Sequence, residues 1–267
     1  MLDERGRIQS NDEIAEDFYL ARVEAPRIAA IAAPGQFVNL QVSQTGSPFL
    51  RVPLSLCGTN AAAGTIDLLY EDMGPKTRAL SQLPVASSVA CLGPLGNGFN
   101  LSDVERQAIL VGGGIGIPPL LFLGDELKKA GHSNVHLVVG ARYAAKHLPD
   151  AMLTTTTKIS KATDDGSLGH HGLVTELVQQ ALAADGEKSV YTCGPHAMMK
   201  AVAALCSEYE VACQASLEEY MACGYGVCVG CVVPLAPEVQ SESPYGHYSR
   251  ICVDGPVFDA QRVCWEG

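Results

Sequence analysis

The first hundred residues alternate apolar and polar positions in short runs that Gly and Pro interrupt. Alternation with a period of two is typical of strands that bury one face. The pattern predicts strands at FYLARVEA, GQFVNLQVS, RVPLSLCG and GTIDLLYEDM. Short strands with frequent turns favour an antiparallel β-barrel or sandwich. We therefore expect a β-rich domain over residues 1–101.

The pattern changes over residues 102–217, where strand-like and helix-like segments alternate. The strand RQAILVGG is followed by PPLLFLGDELKKAG, a helix with Pro near its start and Gly past its end. Two more strand–helix pairs follow, NVHLVVGAR with LVTELVQQALAADG and KSVYTCG with HAMMKAVAALCSEY. This alternation predicts an α/β domain with a parallel sheet. Residues 218–267 are too few for a core of their own, so we expect a small third domain that needs an additional stabilising element, such as a bound metal.

Composition narrows the class of protein. The 267 residues suit two domains and a small third one. The formal net charge of −11 argues against binding to nucleic acid or to an anionic membrane, because both require clustered Lys and Arg. The charged start of the chain does not resemble a signal peptide, and no apolar run reaches the ~18 residues of a membrane span. We expect a cytoplasmic protein.

Three cysteines are crowded near the start of the third domain. Cys223, Cys228 and Cys231 follow the spacing C-x4-C-x2-C, and Cys252 comes after a long gap. This is the ligand spacing of plant-type [2Fe–2S] clusters, in which four thiolates converge on two irons. Glycines between the cysteines supply the backbone freedom that such a loop needs. Zinc is the alternative, although zinc motifs usually contain two close pairs.

A glycine-rich turn lies between the first strand and the first helix of the second domain. It contains Gly112, Gly113, Gly114 and Gly116. Here the backbone can approach a pyrophosphate, and the following helix offers unpaired N–H groups. The turn lacks the G-x-G-x-x-G fingerprint, so a tight turn without a ligand is the alternative.

A second turn strengthens the prediction of a nucleotide site. Cys193, Gly194 and Pro195 end a later strand, and ligands of open parallel sheets bind at the carboxyl ends of the strands. We expect Cys193 to approach a nicotinamide ring, with a buried cysteine before a turn as the alternative. The acidic pair Asp164 and Asp165 favours NAD, because the 2′-phosphate of NADP would require Arg or Lys.

A nicotinamide transfers two electrons as a hydride, whereas an iron–sulfur cluster accepts one electron at a time. A flavin usually mediates between the two, so we expect a flavin site in the first domain. The candidates from the residues alone are Arg51, Pro53, Ser55, Tyr70, Gly74, Lys76 and Thr77. Gly74 to Thr77 open a predicted helix that suits a pyrophosphate. A surface Arg and a solvated helix start are the alternatives.

Several motifs together carry a family resemblance. They are GPLGNGF (93–99), VGGGIGIPPL (111–120), TDDGSLGHHG (163–172), CGPHAMM (193–199), SLEEYMACGYGVCVGC (216–231) and CVDGPVF (252–258). Over nearly its whole length the chain resembles the ferredoxin–NADP reductase superfamily. Within it, the chain is most similar to the electron-transfer subunits of dihydroorotate dehydrogenase B.

The resemblance implies FAD, one [2Fe–2S] cluster and NAD, together with an FMN-containing dihydroorotate dehydrogenase catalytic subunit. Two copies of each subunit would oxidise dihydroorotate to orotate in pyrimidine biosynthesis. The four cysteines correspond to the cluster ligands of the family. The flavin contacts of the family fall on residues 51–55, 69–71 and 76–77, and so add Val52, Leu54, Leu69 and Glu71 to the candidates.

The chain departs from the family pattern at the flavin site. Val52 separates Arg51 from Pro53, and Lys76 stands where the family often has Gly. Either Arg51 or Lys76 is therefore expected to supply the positive charge for the flavin phosphate. A reductase subunit of a hydrogenase, sulfur reductase or transhydrogenase is the alternative function, and a zinc-binding redox sensor or scaffold is the second. We expect no catalytic acid–base pair.

Overall fold

The computed structural model describes residues 1–43, 46–101, 106–153, 156–239 and 244–266. The strands are β1 (Leu2–Ala15), β2 (Phe18–Glu24), β3 (Phe37–Gln41), β4 (Val52–Asn60), β5 (Thr65–Glu71), β6 (Ser88–Leu95), β7 (Gln107–Gly113), β8 (Val135–Ala141), β9 (Lys158–Thr163), β10 (His170–His171), β11 (Lys188–Cys193), β12 (Ala212–Ser216), β13 (Val232–Pro234), β14 (Tyr248–Arg250) and β15 (Val257–Asp259). The α-helices are α1 (Pro26–Ala29), α2 (Pro75–Ser81), α3 (Pro118–Lys129), α4 (Val174–Ala183) and α5 (His196–Glu208). Short 3₁₀ turns lie at Gly114–Gly116, Ala144–Lys146, Asp150–Met152 and Ala260–Arg262.

The first six strands close into a barrel in the order β1-β2-β5-β4-β3-β6, and neighbouring strands are antiparallel. The barrel alternative of the sequence prediction is thus confirmed. Strand β4 shows how the barrel is built: Val52, Leu54 and Leu56 are buried in its interior, whereas Pro53 and Ser55 are half-buried on its outer face. Because side chains alternate along a strand, the outer face stays available for binding.

Strands β13 and β14 form a small two-stranded sheet, and the other seven remaining strands form one sheet in the order β10-β9-β8-β7-β11-β12-β15. All neighbours are parallel except β15, which runs antiparallel to β12. The predicted α/β architecture is confirmed. The expected boundary after residue 101 falls at residues 102–105, outside the described residues. Strand β15 belongs to the C-terminal segment, which therefore completes the sheet.

One apolar core is shared by the barrel, the sheet and the C-terminal segment. It contains Phe37 and Leu95 from the barrel, Val202 from α5, and Ile251 and Cys252 from the C-terminal segment. All are at most 5% exposed. Burying an aliphatic or aromatic side chain of this size stabilises a fold by about 1.5–3 kcal/mol. The C-terminal segment thus gains its core by packing on the other two parts.

A polar contact joins the barrel to the sheet at a second point. Lys146 follows β8 and donates hydrogen bonds to Asp17 at 2.8 Å and to Glu71 at 3.0 Å. Its ammonium also lies 5.4 Å from the centroid of the Phe18 ring. These contacts fix the loop after β8 against the ends of β2 and β5. No helix among the described residues is long and apolar enough to cross a membrane.

Candidate functional site

A cavity of about 880 Å³ opens at the carboxyl ends of the parallel strands. It is lined by Glu71 of the barrel, Gly113 at the end of β7, Arg142 after β8, Asp164 after β9 and Gly194 after β11. Its size lies within the usual range for ligand sites. Its position is where open parallel sheets bind nucleotides. Two of the predicted turns and one predicted flavin residue therefore meet in one cleft.

The four glycines of the first turn have different roles. Gly113 and Gly114 line the cleft, and Gly114 has a positive φ of 53° with open space beside it. A Cβ atom on Gly116 would overlap the carbonyl oxygen of Cys193, so this glycine allows the turn to pack on β11. Gly112 is buried in β7. Two of the four glycines, Gly113 and Gly114, thus line the cleft, and Gly112 and Gly116 allow close packing.

The helix that follows the second turn, α5, offers a better anion site than α3, the helix that follows the first. Gly194 and Pro195 line the cleft, as do residues 196–198 at the start of α5. The first N–H groups of a helix have no intrahelical acceptor, and they attract negative charge. Helix α3, by contrast, begins with Pro118 and Pro119, which have no N–H to offer. The structure therefore favours α5 rather than α3 for binding a phosphate.

Cys193 does not line the cleft. Its side chain is fully buried behind the turn. Burial raises the pKa of this thiol well above its ordinary value, and the nearby Glu218 carboxylate acts in the same direction. The thiol therefore stays protonated.

Glu218 is a cleft residue that the sequence did not reveal. It follows β12, which pairs with β11, and it lines the cleft beside the turn that begins at Cys193. Its carboxyl group is accessible from the open cleft, yet it lies deep in the fold, and desolvation raises its pKa to about 7. A ligand that fills the cleft will increase this desolvation. The only sequence signal is its place just past a parallel strand, at the edge where such sheets bind ligands.

The two candidate cations of the flavin site meet at the start of β4. The Arg51 guanidinium donates to the carbonyl oxygens of Asn39 and Ala90 at 3.3 and 3.2 Å and lies 3.5 Å from the Asp3 carboxylate. Lys76 donates one hydrogen bond, to the carbonyl oxygen of Arg51 at 3.1 Å. An ammonium has three donors. Arg51 has three of its five guanidinium donors engaged, one of them by the Asp3 carboxylate, whereas a single bond holds the Lys76 ammonium, which is therefore freer to turn toward a phosphate.

Thr77 and Gly74 form the start of α2. The Thr77 hydroxyl oxygen accepts hydrogen bonds from the N–H groups of Met73 and Gly74, both at 3.0 Å. A Cβ atom on Gly74 would meet nothing within 4 Å. The outer surface of the barrel is therefore open beside the predicted pyrophosphate turn.

The other predicted flavin segment, at the end of β5, has only one residue on the cleft. Leu69 and Tyr70 are buried, and the Tyr70 hydroxyl donates to Asn11 at 2.8 Å. Glu71 lines the cleft and accepts the hydrogen bond from Lys146. The side chains of Leu69 and Tyr70 thus support the barrel, and only Glu71 of this segment lines the cleft.

The four predicted ligand cysteines lie in two pairs. The sulfur atoms of Cys223 and Cys228 are 3.3 Å apart, and Cys231 forms a hydrogen bond with Cys252. No group of three or more His, Cys, Asp or Glu side chains within the described ranges is arranged to hold a metal ion. Two pairs of thiols suit a cluster with two irons, each bound by two thiolates.

Backbone N–H groups surround the sulfur atoms. Burial raises the pKa of the Cys223 thiol, but three N–H groups of the loop, including that of Cys228 at 3.5 Å, outweigh it and lower the pKa to about 6. The Gly226 N–H points at Cys252, although burial and Cys231 raise the pKa of that thiol to about 12. Such donors stabilise thiolates and tune the potentials of iron–sulfur clusters. The residues present therefore fit the cluster.

Glycines let the cysteine loop pack closely on its neighbours. Gly224 and Gly226 have positive φ angles of 78° and 90°. A Cβ atom on Gly224 would press on the Asn39 amide, and one on Gly226 would press on Val253. Arg250 donates to the Gly226 carbonyl oxygen at 3.2 Å. The loop is thus held from the barrel and from the C-terminal segment.

Comparison with known proteins agrees with a nucleotide site in the α/β domain and a cluster site in the C-terminal segment. Residues 218–264 match the family model of the iron–sulfur cluster binding domain of dihydroorotate dehydrogenase B. Residues 110–204 match that of the oxidoreductase NAD-binding domain. The predicted NAD-linked, iron–sulfur oxidoreductase is confirmed.

Curated relatives match along nearly the whole chain. The dihydroorotate dehydrogenase B (NAD(+)) electron transfer subunit of Desulforamulus reducens is 36% identical over 254 residues, which are 95% of each chain. The corresponding subunit of Geobacillus thermodenitrificans is 38% identical over 263 residues, 97% of this chain and 98% of the relative. This similarity is high enough to establish the family.

Solved structures confirm the predicted fold. An NADH-dependent reduced ferredoxin-NADP oxidoreductase, described in connection with flavin-based electron bifurcation, is similar with a TM-score of 0.86 and 29% identity over 98% of this chain and 90% of the other. Phthalate dioxygenase reductase has the same fold, with a TM-score of 0.65 and 19% identity over 94% of both chains. The chain belongs to the family of dihydroorotate dehydrogenase B (NAD(+)) electron-transfer subunits.

Proposed function

We propose that this chain carries electrons between an FMN-containing dihydroorotate dehydrogenase catalytic subunit and NAD⁺, by way of a [2Fe–2S] cluster and FAD, in de novo pyrimidine biosynthesis. One observation supports this most: the candidate flavin residues link the cleft to the cysteine loop. Glu71 lines the cleft. Arg51 hydrogen-bonds to Asn39, which in turn donates to the carbonyl oxygen of Cys223.

The nucleotide is proposed to lie in the cleft with its pyrophosphate at residues 196–198, where helix α5 begins. The cleft is lined by Gly113, Gly114 and Gly194. Because these residues have no side chains, the backbone there can approach the pyrophosphate closely. Asp164 lies at the end of β9, where an acidic residue accepts hydrogen bonds from a ribose 2′-hydroxyl. These residues bind and orient NAD.

FAD, when bound, would supply the chemistry that exchanges a hydride with the nucleotide and single electrons with the cluster. Its proposed contacts on this chain are the outer face of β4, with Pro53 and Ser55, and the turn before α2. Lys76 is the proposed phosphate cation, because the Arg51 guanidinium is already bound to two carbonyl oxygens of the barrel. Cys223, Cys228, Cys231 and Cys252 are the proposed cluster ligands.

The proposed assembly contains two copies of this chain and two of the catalytic subunit. We place it in the cytoplasm. All ten cysteines are without a disulfide, as is usual in a reducing compartment.

A second candidate function has one observation in its favour. The similarity to the NADH-dependent reduced ferredoxin-NADP oxidoreductase extends over 98% of this chain. In that case the one-electron partner would be a ferredoxin or a related reductase subunit, with the same cofactors. The identity of the partner separates the two functions.

The first prediction concerns that partner. Purified together with an FMN-containing dihydroorotate dehydrogenase subunit, the chain should form a stable complex that reduces NAD⁺ with dihydroorotate. Cys228→Ser should lower this rate more than about 10- to 100-fold, because that is the cost of losing a partner just outside the ligands and Cys228 is a proposed ligand, while NADH still reduces an artificial two-electron acceptor. A chain with both cofactors that accepts electrons from reduced ferredoxin but never from such a subunit would support the second function instead.

The second prediction concerns coenzyme choice. Asp164→Ser should raise kcat/KM for NADPH relative to NADH by about tenfold or more, since removing a carboxylate beside a 2′-phosphate relieves repulsion worth one to two kcal/mol. Asp165→Asn is the control, because the Asp165 carboxylate bonds to Ser167 within its own turn. Equal selectivity in both variants would place the ribose elsewhere.

The third prediction concerns pH. Glu218 has a raised pKa, so it is neutral below pH 7 and negative above it, where it repels the nucleotide phosphates. The Kd for NAD⁺ should therefore increase between pH 6 and pH 8, by up to about tenfold for each unit by which binding raises the pKa further. Calorimetric titration should find a flat profile for Glu218→Gln and the wild-type slope for the exposed control Glu208→Gln. A slope that survives in Glu218→Gln would contradict this role.

A further inference from the structure

We propose that two asparagine side chains of the barrel region, Asn39 and Asn97, are positioning residues for the iron–sulfur cluster. Each holds one of the two cysteine-bearing segments against the barrel, so that the cluster keeps a fixed place relative to the flavin site. This inference rests on the proposed function, because it requires the cluster.

Asn39 holds the segment that brings the first three cysteines. It lies in β3, is 1% exposed, and donates from Nδ2 to the carbonyl oxygen of Cys223 at 2.9 Å. Gly224 packs directly on the amide. The Oδ1 atom is buried and has no hydrogen-bond partner among the described residues.

The unpaired Oδ1 atom indicates why an asparagine occupies position 39. A buried acceptor without a donor destabilises a fold, and an apolar side chain of the same size would avoid this cost. Asn39 also sits on the side of β3 that carries Phe37, which packs in the shared apolar core. The benefit of the asparagine at this position is therefore its N–H bond to the cysteine loop.

Asn97 holds the segment that brings the fourth cysteine. It lies just after β6, and its Nδ2 donates to the carbonyl oxygens of Val253 and Asp254 at 3.1 and 3.0 Å. These are the two residues that follow Cys252. The Asn97 backbone N–H also donates to Gly255 at 2.6 Å. The segment is thus bound to the barrel immediately after its ligand.

The two contacts meet a constraint that the cysteine spacing imposes, since three ligands are close together in the sequence and the fourth is distant. Cys252 reaches the cluster from a different segment than the other three ligands, so the segments must be brought into register. Both are tied to the barrel, and Arg51 extends the Asn39 contact to the candidate flavin strand. Hydrogen bonds just outside the ligands orient them and tune a cluster.

The test compares Asn39→Leu and Asn97→Ala with a matched control in the anaerobically purified, cofactor-loaded protein. The control is Gln214→Leu, because the Gln214 amide makes two hydrogen bonds to the Asn100 backbone, at 2.8 and 2.9 Å, and neither involves a segment that carries the four candidate ligands. Three quantities are measured: the rate of iron release to a chelator, the electron paramagnetic resonance spectrum of the reduced cluster, and amide hydrogen exchange of residues 223–231 and 252–255. Thermal unfolding reports on folding.

Both asparagine variants should release iron about 10-fold faster or more and change the resonance spectrum, and each should speed up exchange in the segment that it holds. The control should match the wild type. Asn97 is exposed, so its variant should fold even if Asn39→Leu does not. Folded variants that match the control in all three measurements would overturn the inference while leaving the function intact. A wild-type protein that binds no cluster would overturn both.

Discussion

The C-terminal segment cannot bury enough apolar surface to fold alone, and the rest of the arrangement depends on this constraint. Chains of this size need a staple, a metal or a partner. Here the segment adds β15 to the central sheet and packs Ile251 and Cys252 into a core shared with Phe37 of the barrel. The cysteine loop is thereby fixed to both other parts of the protein.

Electron transfer benefits from this docking because the parts that exchange electrons are held by one core. The cleft lies where β7, β8, β9 and β11 end, the flavin candidates Pro53 and Ser55 lie on the outer face of the barrel, and the cysteine loop lies beside β3. Lys146 and the asparagine amides are polar contacts at the borders. The work of the chain is to place cofactors and to set the charge around them.

Much of this could be predicted from sequence, because buried parallel strands and a cysteine spacing leave strong patterns. Strand β1 was not predicted, since its inward positions include Gly6 and the buried Glu4, whose carboxylate caps α1 by accepting the N–H groups of Arg27 and Ile28. An acidic residue on the inner face removes the period-two signal. The raised pKa of Glu218 could not be predicted from sequence either, because it results from burial in the folded protein.

The measurement that tests the account most directly is an anaerobic titration of the purified protein with NADH, followed by visible absorption and electron paramagnetic resonance. The account predicts that the flavin absorption and the broader cluster absorption both bleach, and that a reduced [2Fe–2S] signal appears. A flavin that is reduced while a bound cluster stays oxidised, or a protein that binds zinc and no flavin, would contradict an electron path from the nucleotide cleft to the cysteine loop.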